Sequence, residues 1–208
     1  MNLLILGATG RVGQAATAQA ITDGHSVTVL VRSPDKFGTL GVAPTTVVQG
    51  DACREEDVAR ALHGADAVLS ALGTDGGTVL TDSLRILIDL MSRRPGPQRI
   101  VTIGTAGILD SKGYPGLLRY ESPESRRSSV RAAEEHRRAW ELLSRSPLDW
   151  TIVCPTYLPL GERTGVYRVE ADTLPDGGAS ISVADTADFA YRQLQSADYI
   201  RKRVGIAY

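Results

Sequence analysis

Glycines stand at positions 7, 10 and 13, directly after the apolar run Met1-Asn2-Leu3-Leu4-Ile5-Leu6, in the stretch Gly7-Ala8-Thr9-Gly10-Arg11-Val12-Gly13. The residues that follow, Gln14 to Ile21, are rich in alanine, as suits a helix lying close on a sheet. A buried strand that passes through three evenly spaced glycines into a helix is the sequence form of a pyrophosphate cradle. Gly7 permits the tight turn, Gly10 lets the backbone approach the phosphates without a Cβ in the way, and Gly13 lets the helix lie against the strand. The first N–H groups of the helix have no acceptors of their own and, with the macrodipole, favour an anion. Gly7, Ala8, Thr9, Gly10, Arg11 and Val12 are therefore predicted to hold a dinucleotide.

The choice of dinucleotide is read from the end of the second strand, predicted over Ser26 to Val31 and closing in Val29-Leu30-Val31-Arg32-Ser33. An NAD site places an Asp or Glu there to accept from the ribose hydroxyls. A guanidinium cannot accept, but it pairs with a 2′-phosphate through charge-assisted bonds. Arg32, with Ser33 beside it, points to NADP(H), the plain alternative being one more surface arginine in a chain with 23 Lys and Arg together. Asp51, after Gly50, suits the adenine edge or a simple turn.

Composition excludes several other chemistries. The formal net charge of −1 gives no global field for nucleic acid or an anionic membrane, so neither is expected as a partner. Cys53 and Cys154, the 2 cysteines, have no ligand spacing, so no metal site and no disulfide framework are expected. No apolar run reaches about 18 residues and no basic, cleavable leader precedes the first strand, which predicts a cytoplasmic protein.

The elements that must position these residues follow as alternating strands and helices. Gly24 is predicted to close the first helix, and strands are expected at Thr45 to Gln49, Ala67 to Leu72, Ile100 to Ile103 and Trp150 to Cys154. Helices are expected at Glu55 to His63, Thr81 to Met91, Ser128 to Leu143 and Asp185 to Leu194, the last with Asp185 as N-cap. Val204 to Ala207 reads as a closing strand. The pattern predicts one α/β domain over residues 1–208, a Rossmann-type doubly wound, mainly parallel sheet with helices on both faces. Two weakly patterned segments, 104–127 and 156–180, are expected to form the substrate pocket. Ligands of such sheets sit beyond the carboxyl ends of the strands, which gathers Gly7 to Gly13, Arg32, Gly50-Asp51, Leu72 to Asp75, Thr105 and Pro155 to Tyr157 around one crevice.

These residues resemble the atypical branch of the short-chain dehydrogenase/reductase superfamily, which includes NmrA-like proteins and the biliverdin reductase B/flavin reductase group. The resemblance covers nearly the whole chain. It rests on the glycine stretch, Val29-Leu30-Val31-Arg32, Gly50-Asp51, Ala67-Val68-Leu69-Ser70-Ala71-Leu72-Gly73-Thr74, Glu134-Glu135-His136 and Asp149-Trp150-Thr151-Ile152-Val153-Cys154-Pro155. Leu160-Gly161 and Thr164-Gly165-Val166-Tyr167 point more narrowly to the flavin/biliverdin reductase-like group. The resemblance implies that Leu72, Gly73, Thr74 and Pro155 border the nicotinamide end of the cofactor. It further implies that Thr105, His136 and Tyr157 act at the reacting centre. Each has a structural alternative: a strand-end hydroxyl bonding local backbone, an exposed helical histidine, and a packed ring. Tyr114 and Tyr120 are further candidates to line the pocket or to pack a lid.

The main branch of that superfamily relies on Tyr-x-x-x-Lys to move a proton at a carbonyl. Here Lys36, Lys112 and Lys202 are preceded at that spacing by Arg32, Ile108 and Asp198. A conjugated acceptor makes weaker demands, since it delocalises charge and takes its proton from solvent. The sequence therefore favours an NADPH-dependent reductase of a small-molecule acceptor such as a flavin, quinone or tetrapyrrole. The alternatives are an NADP(H)-binding sensor of the NmrA-like type and an NADP-dependent isomerase or epimerase in secondary metabolism. Oligomeric state is left open, and the pairs Arg126-Arg127 and Arg137-Arg138 are candidates for a partner surface or a solvated face.

Overall fold

Leu3, Leu4, Ile5 and Leu6 are all buried, so the first strand has apolar cover on both faces, the condition of a central strand in a parallel sheet. In the computed structural model, which describes residues 1–37, 43–95, 98–125 and 129–208, the elements run in the order β1 (Asn2–Leu6), α1 (Arg11–Thr22), β2 (Ser26–Val31), β3 (Thr46–Gln49), α2 (Glu55–Leu62), β4 (Ala67–Ser70), α3 (Val79–Ser92), β5 (Arg99–Ile103), α4 (Arg131–Ser144), β6 (Asp149–Pro155), β7 (Arg168–Ala171), α5 (Val183–Gln193) and β8 (Lys202–Ala207). The sheet order is β3-β2-β1-β4-β5-β6-β8-β7. Every pairing is parallel except β7 with β8. The Rossmann-type α/β fold read from the sequence is thus the fold observed.

Strand alternation divides the core into two layers. Leu4 and Leu6 face the layer covered by α2, α3 and α4, while Leu3 and Ile5 face α1 and α5. From β1 the chain winds outward to β2 and β3, then returns to place β4 on the other side of β1. The carboxyl ends of β1 and β4 therefore mark the switch in strand order, where such sheets open a crevice.

Local chemistry ends the elements where expected. Gly24 has φ +80, and the bonds from Gly24 N to Ile21 O and His25 N to Ala20 O, both 3.0 Å, close α1 in a Schellman motif. The start of α3 depends instead on a tertiary cap. Glu135 of α4 is buried, and its carboxylate accepts from the N–H of Leu80 at 2.8 Å. Replacing Glu135 by alanine leaves that buried donor without an acceptor, and we expect a loss of about 1–3 kcal/mol in urea unfolding. Glutamine keeps an acceptor oxygen, so Glu135→Gln should recover most of it.

Three sequence expectations change. The helix expected from Asp185 begins at Val183, with Ser182 as N-cap, its Oγ accepting from the Asp185 N–H at 3.0 Å. Segment 156–180 contains an unexpected strand, β7, which leaves the sheet at Asp172, a residue with φ +62. Segment 104–125 is a knitted structure: two 3-10 turns, Ala106–Ile108 and Arg119–Glu121, flank an antiparallel bridge between Asp110 and Leu118. Arg126 and Arg127 lie outside the described residues.

Candidate active site

The glycine turn sits at the switch point and is shaped by backbone. Gly7 has φ +71, and a Cβ built on it would lie 2.4 Å from the carbonyl oxygen of Ala71 at the end of β4. Gly10 donates its N–H to Gly7 O at 2.9 Å and accepts from Gln14 N at 2.8 Å, the first i→i−4 bond of α1. The N–H groups of Arg11, Val12 and Gly13 precede that bond and form the donor-rich mouth of the helix. The residues present thus fit a pyrophosphate: Cβ-free backbone, then orphan donors at a helix start. Arg11 also reaches across the crevice, its guanidinium donating to Leu158 O at 3.1 Å.

At the far end of the cradle, Arg32 is exposed just past β2. The neighbouring turn is fixed by Gly50 N donating to Val31 O at 3.0 Å and by Asp57, whose carboxylate accepts from Asp51 N at 2.9 Å and from Arg60 at 2.7 Å. Gly50 is small for this reason, since a Cβ there would lie 2.6 Å from the Asp57 carboxyl carbon. Asp51 Oδ1 accepts from Cys53 N at 2.9 Å, so the carboxylate also serves its own turn. Burial pushes the Cys53 thiol up, the charges of Asp51, Asp82 and Asp75 push it further, and Arg32 pulls it back. The cation of Arg32 therefore shares this corner with three carboxylates.

On the other side of the glycine turn, Leu72, Gly73 and Thr74 follow β4, and Pro155 is the buried last residue of β6. Arg131 of α4 donates to Gly76 O and holds the loop after β4. Thr105, two residues beyond β5, is buried, and its Oγ1 accepts from Gly107 N at 3.4 Å. His136 is not an exposed helical histidine. It is half-buried in the seam between α3, α4 and the sheet, in a pocket it shares with Ser70, Thr102 and Ile103. Tyr157 is 71% exposed, so its ring is not packed, and it stands with Leu160 and Val166, 76% and 78% exposed, on the segment between β6 and β7.

Other candidates have structural duties. Tyr120 accepts from Arg137 at 3.1 Å, and Arg137 also binds Glu121 and Glu141 at 2.7 and 3.0 Å, which ties segment 119–121 to α4. Lys112 is held by Glu170 and Asp176 at 2.8 and 2.7 Å, and Lys202 by Asp172 at 2.9 Å. Burial pushes the Cys154 thiol to about 12, as befits an inert core residue. Among the described residues, no group of three or more His, Cys, Asp or Glu is gathered to hold a metal, and no helix is long and apolar enough to cross a membrane.

Of the two carboxylates of α5, the sequence reading took Asp185 only as an N-cap and passed over Asp188. Asp185 and Asp188 are both fully buried. Asp185 accepts from Thr164 N, Thr164 Oγ1, Gly165 N and Tyr208 Oη at 2.7 to 2.9 Å. Burial pushes its carboxyl pKa up, but the Gly165 N–H, the Tyr208 hydroxyl and Thr164 outweigh it and hold the group below the ordinary range. Asp188 accepts from Tyr167 Oη at 2.9 Å and pairs with Arg192 at 3.1 Å. The signal available was Ser182-Val183-Ala184-Asp185, in which Ser182 caps and Asp185 is freed to turn outward.

Comparison with known proteins accords with this geometry. The sequence profile of the NAD(P)H-binding family matches residues 7–197. The chain is 28% identical over 213 residues to the photosystem II assembly factor Ycf39 of Synechocystis, covering 97% of this chain and 61% of that protein. It therefore spans less than two thirds of that relative. Among solved structures, a candidate exported protein from Burkholderia pseudomallei superposes with a TM-score of 0.85 at 29% identity, over 100% of both chains. A candidate NADH-flavin reductase from Streptococcus pneumoniae does so with 0.84 at 26% identity, over 100% of this chain and 99% of the other.

Proposed function

Since the chain belongs to the NAD(P)H-binding family, we propose that it is an NADPH-dependent reductase that passes a hydride to a planar, conjugated small molecule such as a flavin, a quinone or a linear tetrapyrrole. The observation that carries the reading is a glycine turn and helix start whose backbone fits a pyrophosphate, in a chain with no Tyr-x-x-x-Lys pair. A reduced nicotinamide, when bound, supplies the hydride. Gly7 to Val12 would hold its pyrophosphate, Arg32 its 2′-phosphate, and Leu72 to Thr74 with Pro155 its nicotinamide end.

The rest of the work asked of the protein is orientation. Thr105, at the end of β5, offers a hydroxyl to position the nicotinamide or the acceptor, and Tyr157 offers a second from the facing wall. Holding the reacting carbon against a delocalised acceptor is chiefly a matter of proximity. Proton delivery is left to solvent or to the Tyr157 hydroxyl. His136 lines the same pocket as Ser70 and Thr102 at the strand ends and is the third candidate to act at the reacting centre.

The test is NADPH oxidation by the purified protein against flavin mononucleotide, quinones and a linear tetrapyrrole, with NADH in parallel. Turnover with NADPH is expected, and Thr105→Val should lower kcat by about tenfold with little change in NADPH affinity. The similarity to an assembly factor favours one other reading, a cofactor-binding protein that signals its redox state to a partner. Tight NADPH binding with no turnover on any acceptor would decide for it.

A further inference from the structure

The segment from Leu158 to Tyr167 has no helix or strand, yet it is fastened at both ends and in the middle to one rigid layer. Leu158 O accepts from Arg11, the first residue of α1. Thr164 and Gly165 give both backbone N–H groups and a hydroxyl to Asp185, and Tyr167 gives its hydroxyl to Asp188. Both carboxylates project from α5, which packs on α1, and α1 begins at the glycine turn. The wall that displays Tyr157, Leu160 and Val166 is thus built on the same layer as the cofactor cradle.

We propose that Asp185 is a positioning residue for the acceptor: its carboxylate sets the segment 157–167 as one wall of the crevice, at a fixed distance from the dinucleotide. The assignment rests on the reductase reading above. Helix α5 does not need this side chain, because Ser182 already caps its first turn. All four donors to Asp185 come from outside the helix, and two of them are backbone N–H groups of the segment itself. A charge at a fully buried position is retained at a desolvation cost, and what it secures here is loop geometry rather than core packing. The exposed apolar side chains of the wall suit a flat, largely apolar acceptor laid against the nicotinamide face.

Two variants separate positioning from general stability. Asp185→Asn keeps shape and loses acceptor capacity, while Thr164→Val leaves the carboxylate in place and removes the hydroxyl that donates to it and that also bonds Val166 O and Val166 N at 3.3 and 3.1 Å; Thr164→Ser restores the hydroxyl. The measurements are acceptor KM and kcat at saturating NADPH, the NADPH Kd by titration, and amide hydrogen exchange across 157–167. We expect acceptor KM to rise about tenfold in Asp185→Asn and about threefold in Thr164→Val, with Thr164→Ser near wild type. NADPH Kd should stay within about twofold, and exchange should quicken within the segment and not in α1. An unchanged acceptor KM in Thr164→Val and Asp185→Asn, or an NADPH Kd that rises by the same factor as KM, overturns the inference. If Asp185→Asn does not fold, the Thr164 pair decides. Absence of turnover in the wild type overturns the reductase reading and takes the acceptor role with it, a result distinct from active enzyme with an unmoved KM.

Discussion

Replacing Arg32 by alanine is expected to raise the Kd for NADPH about 10- to 100-fold while leaving that for NADH within about twofold, the yield of removing charge-assisted bonds to a phosphate. The size of the effect follows from the company Arg32 keeps. Asp51, Asp75 and Asp82 act on the same Cys53 thiol that Arg32 acts on, and of these Asp82 is paired with Arg85 at 3.1 Å, so Arg32 stands among carboxylates that would oppose a phosphate. Without the guanidinium, a 2′-phosphate loses its charge-assisted partner. A ribose hydroxyl does not, so NADH binding is spared. Arg32 is exposed, so its removal should leave the unfolding midpoint nearly unchanged. The check is a pair of fluorescence titrations, NADPH and NADH, on wild type and Arg32→Ala. Equal weakening of both cofactors, or none, would mean that the end of β2 does not read the phosphate.

The fold was legible because its signals are local and repeated. Apolar runs of strand length alternate with 3.6-periodic segments, and glycines stand where left-handed backbone is required, as Gly24 and Gly64 do at φ +80 and +73. The glycine turn was legible for the same reason, since Gly10 and Gly13 act against the backbone of their own turn, and Gly7, though it also packs on Ala71 O, already shows in its position between strand and helix. Ser33 and Gly50 are more ambiguous. Gly50 was read as part of the cofactor site, and the structure supplies a nearer reason for it in the Asp57 side chain that fills the space of a Cβ.

What escaped the sequence depends on contacts between distant segments. Residues 104–125 show no periodicity because their order comes from side chains: Glu124 accepts from Ser111 and Gly113 and pairs with Arg119. Arg203 holds the same region to β8 through the carbonyl of Ile108 and through Asp110 at 2.8 Å, and it stacks over Trp140 at 3.9 Å. None of these pairs has a spacing that announces it. Strand β7 is four residues long and pairs only with the last strand, so its alternation is too brief to distinguish from loop. Asp185 was visible as a helix-start residue, but the direction of its carboxylate depends on Thr164 and Tyr208, which lie 21 and 23 positions away.

The three glycines of the cradle should part ways under the same substitution. A Cβ on Gly7 would meet Ala71 O at 2.4 Å, and one on Gly13 would meet Gly7 O at 2.2 Å, both backbone atoms with no side-chain freedom to yield. Gly7 carries in addition a φ of +71 that alanine adopts only with strain. Gly7→Ala and Gly13→Ala are therefore expected to cost about 2–4 kcal/mol each in urea unfolding, a large share of the stability of a domain this size. Gly10 differs. Its φ of −82 and ψ of 164 suit alanine, and the nearest atom to an added Cβ is Gly7 O at 3.2 Å, with the next at 3.9 Å. Gly10→Ala should fold with a loss of about 1 kcal/mol, mainly the poorer N-cap. Its methyl group would stand where the pyrophosphate must approach, so the NADPH Kd is expected to rise at least about tenfold. Measured side by side, Gly10→Ala should lose the thermal stabilisation that NADPH confers on the wild type while keeping nearly the same midpoint without ligand. If Gly10→Ala instead binds NADPH as the wild type does, the turn is a packing device for β1 and α1 alone, and the phosphates lie elsewhere.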